Sequence, residues 1–248
     1  MMKRSFNYLF ILFVLSSCDA TTRISSIENK SQKVKNTEVS TKTELDSFLW
    51  PYRAQLEKKM NDTIAYSEIS LTKKKIESTL GNWVADGMIW YAKEKLNETV
   101  DVAFCNSGGL RTKALPAGPI KLKHIFELMP FENEMVLVDL DSNDFKIVLE
   151  RIAQKDGWPV SKGFYLKLSE SNEVMDWSVH GQRKNNYKVI VSDYIATGGD
   201  GMSHLIEKPR KNLNVLIRDV LISYAKHQKN LKAKLEGRII KINSNVDE

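Results

Sequence analysis

Apolar positions fall into short periodic runs separated by glycine, proline and small polar clusters, and each run predicts an element. Leu45, Phe48, Leu49, Tyr52 and Leu56 lie at helical spacing, and Ile64 to Leu71 alternates like a strand. Ser78 or Thr79 can cap a helix whose buried face carries Leu80, Trp83, Val84, Gly87, Met88, Tyr91 and Leu96. Val100 to Cys105 is a short apolar run suited to a buried strand, ended by Asn106-Ser107-Gly108-Gly109. Pro116-Ala117-Gly118-Pro119 predicts a turn, and Leu122 to Leu128 a short helix.

In the second half, Met135 to Leu140 reads as a strand. Ser142-Asn143-Asp144 then supplies a cap for a helix carrying Phe145, Val148, Leu149 and Ile152. Strands follow at Phe164 to Leu168, Met175 to Val179 and Tyr187 to Ser192, the last running into Thr197-Gly198-Gly199-Asp200-Gly201. A helix from about Leu213 to Lys226 and a strand near Arg238 to Ile242 complete the pattern. There is no regular β-α-β alternation, so the expected class is α+β, with hairpin-like spacing implying largely antiparallel sheets.

The N-terminus departs from this. Lys3 and Arg4 precede an apolar stretch from Phe6 to Leu15, which is followed by Leu15-Ser16-Ser17-Cys18. A basic start, a short apolar run and small residues describe an export signal over residues 1–17. The run is too short to span a bilayer, which takes about 20 apolar residues. Its ending resembles the bacterial lipobox, which implies lipidation of Cys18 and a place in the bacterial cell envelope. Residues 18–44 are Ser, Thr, Asn, Lys and Glu with isolated apolar side chains and read as a solvated tether. That leaves residues 45–248 for one folded domain.

Composition adds little. The net charge is +6, and loss of Lys3 and Arg4 leaves +4, a weak bias toward anionic ligands. The only other cysteine, Cys105, has no partner if Cys18 is lipidated, so a disulfide framework is excluded, and in its apolar run it reads as a small hydrophobe. Basic residues from Lys208 to Lys234 interleave with an apolar helical stripe and read as a solvated face, not as a nucleic-acid surface.

Two glycine-dense loops each follow an apolar strand. Paired glycines in Asn106-Ser107-Gly108-Gly109-Leu110-Arg111 allow φ > 0 and close approach of backbone N–H groups to a ligand, and Arg111 can fork onto a phosphate. The second is Thr197-Gly198-Gly199-Asp200-Gly201, with Tyr194 just upstream. Pro130-Phe131-Glu132-Asn133 joins a helix to a strand, and Phe131 with Tyr194 could sandwich a flat base.

In order along the chain stand Glu77-Ser78-Thr79-Leu80-Gly81-Asn82-Trp83-Val84-Ala85-Asp86, the Asn106 loop, Ala117-Gly118-Pro119-Ile120, Met129-Pro130-Phe131-Glu132-Asn133, the Gly198-Gly199-Asp200 loop and Leu235-Glu236-Gly237-Arg238-Ile239. From Lys73 to Ile240 the chain resembles the C-terminal domain of the 5'-nucleotidase family. That resemblance implies a layered α/β/β/α arrangement in which Phe131 and Tyr194 clamp the base and Asp200 binds ribose hydroxyls. It further implies that Asn106 and Arg111 face the nucleoside and the phosphate, that Asn133 occupies the family's usual position at the base clamp, and that Lys74 helps to hold phosphate. Three positions differ from the family's usual residues: Glu132 for glycine, Tyr194 for phenylalanine and Lys74 for arginine.

The family's catalysis belongs to an N-terminal metallophosphoesterase domain with two metal ions, whose Asp-x-His and Gly-Asn-His-Asp or Gly-Asn-His-Glu signatures do not occur in this sequence. His124, His180, His204 and His227 share no ligand spacing, and His204 lies nearest the Asp200 loop. The expectation is a domain with no catalytic residue, metal ligand or cofactor of its own. It would recognise nucleotides for a separately encoded metallophosphoesterase carrying divalent metal ions, and be inactive alone. The alternative is a non-catalytic nucleotide- or nucleoside-binding surface lipoprotein.

Overall fold

The computed structural model describes residues 44–242. The expected signal 1–17, Cys18 and the tether up to residue 43 lie outside the described residues, as do 243–248. From Asp46 onward the chain forms one compact unit.

The first stripe becomes α1 (Glu44–Met60), with Leu45, Phe48, Tyr52 and Leu56 exposed. The strand expected over Ile64 to Leu71 is instead two, β1 (Thr63–Ser67) and β2 (Leu71–Thr72). Between them the Ser67 hydroxyl donates to the Ile69 carbonyl at 2.7 Å, a local bond that competes with a continuous ladder. Helix α2 (Thr79–Glu94) begins at Ser78, whose extended backbone and Oγ, accepting from the Gly81 N–H at 3.0 Å, make the expected cap. β3 (Val102–Ala103) and β4 (Ala114–Leu115) are short; β4 pairs with β2.

The Pro116–Pro119 turn is only half a turn. Gly118 and Pro119 already belong to β5 (Gly118–Lys121), antiparallel to β1 in a two-stranded sheet, where a proline is tolerated at an edge. Helix α3 (Leu122–Leu128) has the expected bounds. β6 (Glu134–Asp141) leads into α4 (Ser142–Gln154), and the cap is Asp141, one residue before the expected cluster. Its carboxylate accepts from the N–H groups of Asn143 and Asp144 at 2.8 and 2.9 Å. Then come β7 (Phe164–Leu168), β8 (Val174–Val179), β9 (Asn186–Ser192) and the single turn α5 (Asp193–Ala196). The helix expected from Leu213 starts later. Residues Arg210–Leu216 form β10, paired to β6, and α6 is Ile217–Gln228. β11 (Ile239–Lys241) closes the chain, parallel to β7.

The central sheet has the order β10-β6-β9-β3, and β11-β7-β8 makes a second. Alternate residues of the central sheet enter two cores. Met135, Leu137 and Ile190 pack with Trp83, Met88, Val220 and Leu221 of α2 and α6. Val136, Val138, Val189 and Val191 pack with Phe145 and Leu149 of α4 and with Phe164, Leu166 and Trp177 of the second sheet. Burial on both faces explains why these strands read as unbroken apolar runs. The class is α+β with mixed, largely antiparallel sheets, as expected.

A closed polar knot ties the C-terminal segment to α2. Arg238, 4% exposed, donates to both Asp86 carboxylate oxygens at 2.8 and 2.7 Å, to Glu236 Oε2 at 2.8 Å and to the Val160 carbonyl at 2.7 Å. Beside it, Glu77 accepts from the Asn82 amide at 2.6 Å and from the N–H groups of Glu236 and Gly237 at 2.9 Å. Burial alone would raise the Glu236 pKa, but hydrogen bonding and charge from Arg238 outweigh it and hold it below the ordinary glutamate value.

Candidate functional site

Strand directions decide where the site lies. β3 runs parallel to β9, so their C-terminal ends share one edge of the central sheet. β6 runs antiparallel to β9 with Met135 opposite Ser192, which brings the start of β6 to that same edge. The three loops attached there carry Asn106 to Arg111, Phe131 to Asn133, and Tyr194 to Asp200. Together they enclose a cleft of about 290 Å³ lined by Asn106, Gly108, Gly109, Arg111, Phe131, Asn133, Tyr194 and Asp200. Six of the seven expected binding residues therefore meet, although Asn106 and Asp200 are separated by 94 positions in sequence.

Asn106 is only 6% exposed, and its amide donates to Asp200 Oδ2 at 2.8 Å. Neither Gly108 nor Gly109 takes a positive φ, contrary to expectation. They leave room for the Asn106 side chain instead: a Cβ on Gly109 would stand 3.1 Å from its Oδ1. Asp200 itself is left-handed, with φ 54° and ψ 27°, a conformation that Asp tolerates better than most residues. Its N–H donates to the Tyr194 hydroxyl at 3.2 Å. The Tyr194 ring lies so close to Gly199 that a Cβ there would fall 2.5 Å from ring carbon Cε1. A side chain at 199 would therefore displace the ring or the loop.

Phe131, which also lines the cleft, sits on an exposed loop. The Arg111 guanidinium carbon is 5.5 Å from its ring centre, a cation–π arrangement. Arg218 reaches under the loop to the Pro130 carbonyl at 3.4 Å and faces Glu132 at 4.0 Å. The Asn133 carbonyl accepts from the Ile217 N–H at 2.9 Å, fixing the loop to the start of α6. Phe131 and Tyr194 remain 42% and 46% exposed.

Lys74 does not join the cleft; it is exposed, and its neighbour Lys73 turns inward. The Lys73 amine donates to the Leu110 carbonyl at 2.8 Å, immediately before Arg111. Burial first, and the Arg111 charge second, hold the Lys73 pKa below the ordinary lysine value. Lys73 does not line the cleft itself, and its charge adds to that of Arg111, which does. The signal for Lys73 was the run Lys73-Lys74-Lys75 itself, in which composition cannot say which amine points inward.

The histidines are dispersed. His124 Nδ1 accepts from the Lys121 N–H at 3.2 Å, His180 Nε2 lies 3.1 Å from the Asp101 carbonyl, and His227 stacks on Trp90 at 4.6 Å. His204 does not line the cleft; its Nε2 is buried without a partner, and burial lowers its pKa. Among the described residues no group of three or more His, Cys, Asp or Glu could hold a metal ion, so these residues do not fit the two-metal centre of a phosphoesterase. Cys105 is buried at 2% exposure, and burial pushes its thiol pKa up to about 12, in keeping with a hydrophobic role. Among the described residues no helix is long and apolar enough to cross a membrane. The cleft thus brings together two exposed aromatic rings, a carboxylate and a guanidinium.

Residues 55–207 match the family model described as 5'-nucleotidase, C-terminal domain. A trifunctional nucleotide phosphoesterase of Bacillus subtilis is 28% identical over 80% of this chain and 15% of its own length. A 5'-nucleotidase of Vibrio parahaemolyticus is 26% identical over 74% of this chain and 34% of its own. Among solved structures, a 5'-nucleotidase precursor of Thermus thermophilus superposes with a TM-score of 0.70 at 28% identity, covering 80% of this chain and 44% of that one. The chain thus spans less than half the length of these relatives.

Proposed function

The chain belongs to the 5'-nucleotidase C-terminal domain family, and on that premise we propose that it is the nucleotide-recognition part of a 5'-nucleotidase-type phosphohydrolase. The observation that carries this reading is the meeting of Asn106, Arg111, Phe131, Asn133, Tyr194 and Asp200 around one cleft. Phe131 and Tyr194 sandwich the base, with Asn133 at its rim. Asp200, whose carboxylate has lone pairs beyond the one used by Asn106, accepts from the ribose hydroxyls. Arg111, with Lys73 behind it and Lys74 at the surface, faces the phosphate. Metal ions and the attacking water come from a separately encoded metallophosphoesterase, and a lipid on Cys18 holds the domain at the cell envelope.

The test is a nucleotidase assay of the chain, alone and mixed with a metallophosphoesterase encoded beside it, with manganese or zinc. The chain alone turns over nothing, the mixture hydrolyses nucleoside monophosphates, and Cys18→Ser releases the protein from the membrane fraction. Metal-dependent turnover by the purified chain overturns the split arrangement. Nucleoside binding with no activity alongside any such partner leaves a receptor.

A further inference from the structure

Asp200 is expected to hold ribose hydroxyls, yet its own position is set from a helix outside the cleft. Arg151 lies in the last turn of α4, and its Nε–H donates to the Asp200 carbonyl. The same guanidinium donates from Nη1 to Gln154 Oε1 at 3.0 Å, which holds the head group in place along the helix. Among the described residues no carboxylate pairs with Arg151, so its charge is directed at a main-chain carbonyl. The loop is cut to admit it. Gly201 takes φ +80°, and a Cβ there would fall 2.4 Å from Nη2 and 2.8 Å from Cζ of Arg151.

These contacts surround a residue in a demanding state. Asp200 has a left-handed backbone, an N–H committed to the Tyr194 hydroxyl and a carboxylate oxygen committed to Asn106. Without a donor on its carbonyl, the peptide between Asp200 and Gly201 is free to rotate, since glycine permits most backbone angles. That freedom lets the left-handed backbone at Asp200 relax, and a change in its φ redirects the Cα–Cβ bond and with it the carboxylate bonded to Asn106. We propose that Arg151 is a positioning residue for sugar recognition: it touches no ligand, and it fixes the Asp200 peptide so that the free carboxylate oxygen faces the ribose 2'- and 3'-hydroxyls. This rests on the reading of the cleft as a nucleoside site. It adds that the selection of a hydroxylated sugar is controlled from α4.

The test compares adenosine with 2',3'-dideoxyadenosine by calorimetry on the full chain, for wild type, Arg151→Ala and Arg151→Lys, each checked for folding by circular dichroism and Tm. Wild type binds adenosine more tightly than the dideoxy analogue. Arg151→Ala loses roughly tenfold in adenosine affinity, the scale of one charge-assisted hydrogen bond, and leaves the dideoxy analogue within about twofold, so the preference collapses. Arg151→Lys retains a cationic donor and restores part of the preference, which also covers the case in which the alanine variant fails to fold. Equal losses for both ligands in a folded variant, or an unchanged preference, overturn the inference and leave the cleft reading standing. A wild type that does not distinguish the two nucleosides overturns the cleft reading, and the inference with it.

Discussion

Two polar constellations stand in this molecule, and both come from segments that carry the family resemblance. The knot of Glu77, Asn82, Asp86, Glu236 and Arg238 closes on itself: Arg238 is 4% exposed and donates to three oxygen-bearing neighbours within the chain. The cleft of Asn106, Arg111, Phe131, Tyr194 and Asp200 stays open, with two half-exposed rings, a left-handed aspartate and an exposed arginine. In the first the buried cation is spent on partners within the chain, whereas in the second the arginine and both rings stay exposed. Motif strength alone cannot separate them; satisfaction of the polar groups does.

The largest effect should come from the knot. Arg238→Ala removes the buried guanidinium from Asp86 and leaves Glu236 only the more distant Lys162 and Lys234, and should cost about 3–5 kcal/mol in urea unfolding, with any surviving folded protein keeping its nucleoside preference. The knot should also show in acid. Glu236 has a folded pKa below its unfolded value, so its stabilisation is fully present above the unfolded pKa and is lost as pH falls through the folded one. Wild-type unfolding followed from pH 6 down to pH 3 should show that loss, and Arg238→Ala should show less of it.

The cleft should behave in the opposite way. Tyr194→Ala should weaken adenosine binding by about 1–3 kcal/mol, the worth of one stacked base, with little change in Tm because the ring is half exposed. Tyr194→Phe keeps the stack but loses the acceptor for the Asp200 N–H, a cost of about 1 kcal/mol. A large drop in Tm for Tyr194→Ala, with unchanged adenosine affinity, would place Tyr194 with the structural residues and erase the distinction.

The sequence revealed the cleft better than it revealed the edges of the fold. Asn106, Arg111, Phe131, Asn133, Tyr194 and Asp200 sit in loops where glycine and proline punctuate apolar strands, and the family resemblance, not exposure, groups them, since Asn106 is itself 6% exposed. Arg151 could not be found this way, because it reaches Asp200 across 49 positions from an ordinary amphipathic helix. Lys73 was hidden inside a run of three lysines whose orientations depend on tertiary contacts. The amphipathic pattern put the helix start near Leu213, whereas pairing with β6 keeps the chain in a strand through Leu216. The Ile64–Leu71 alternation was genuine but spans two sheets, and only the Ser67 to Ile69 bond marks the break.

In the proposed reading the open constellation receives a nucleotide with its phosphate toward Arg111. Calorimetry of AMP and adenosine on wild type and Arg111→Ala tests it most directly. The substitution should reduce AMP affinity about tenfold more than adenosine affinity, since only AMP offers a phosphate to the guanidinium. Equal losses for the two ligands, or no binding of either by the wild-type chain, would contradict it.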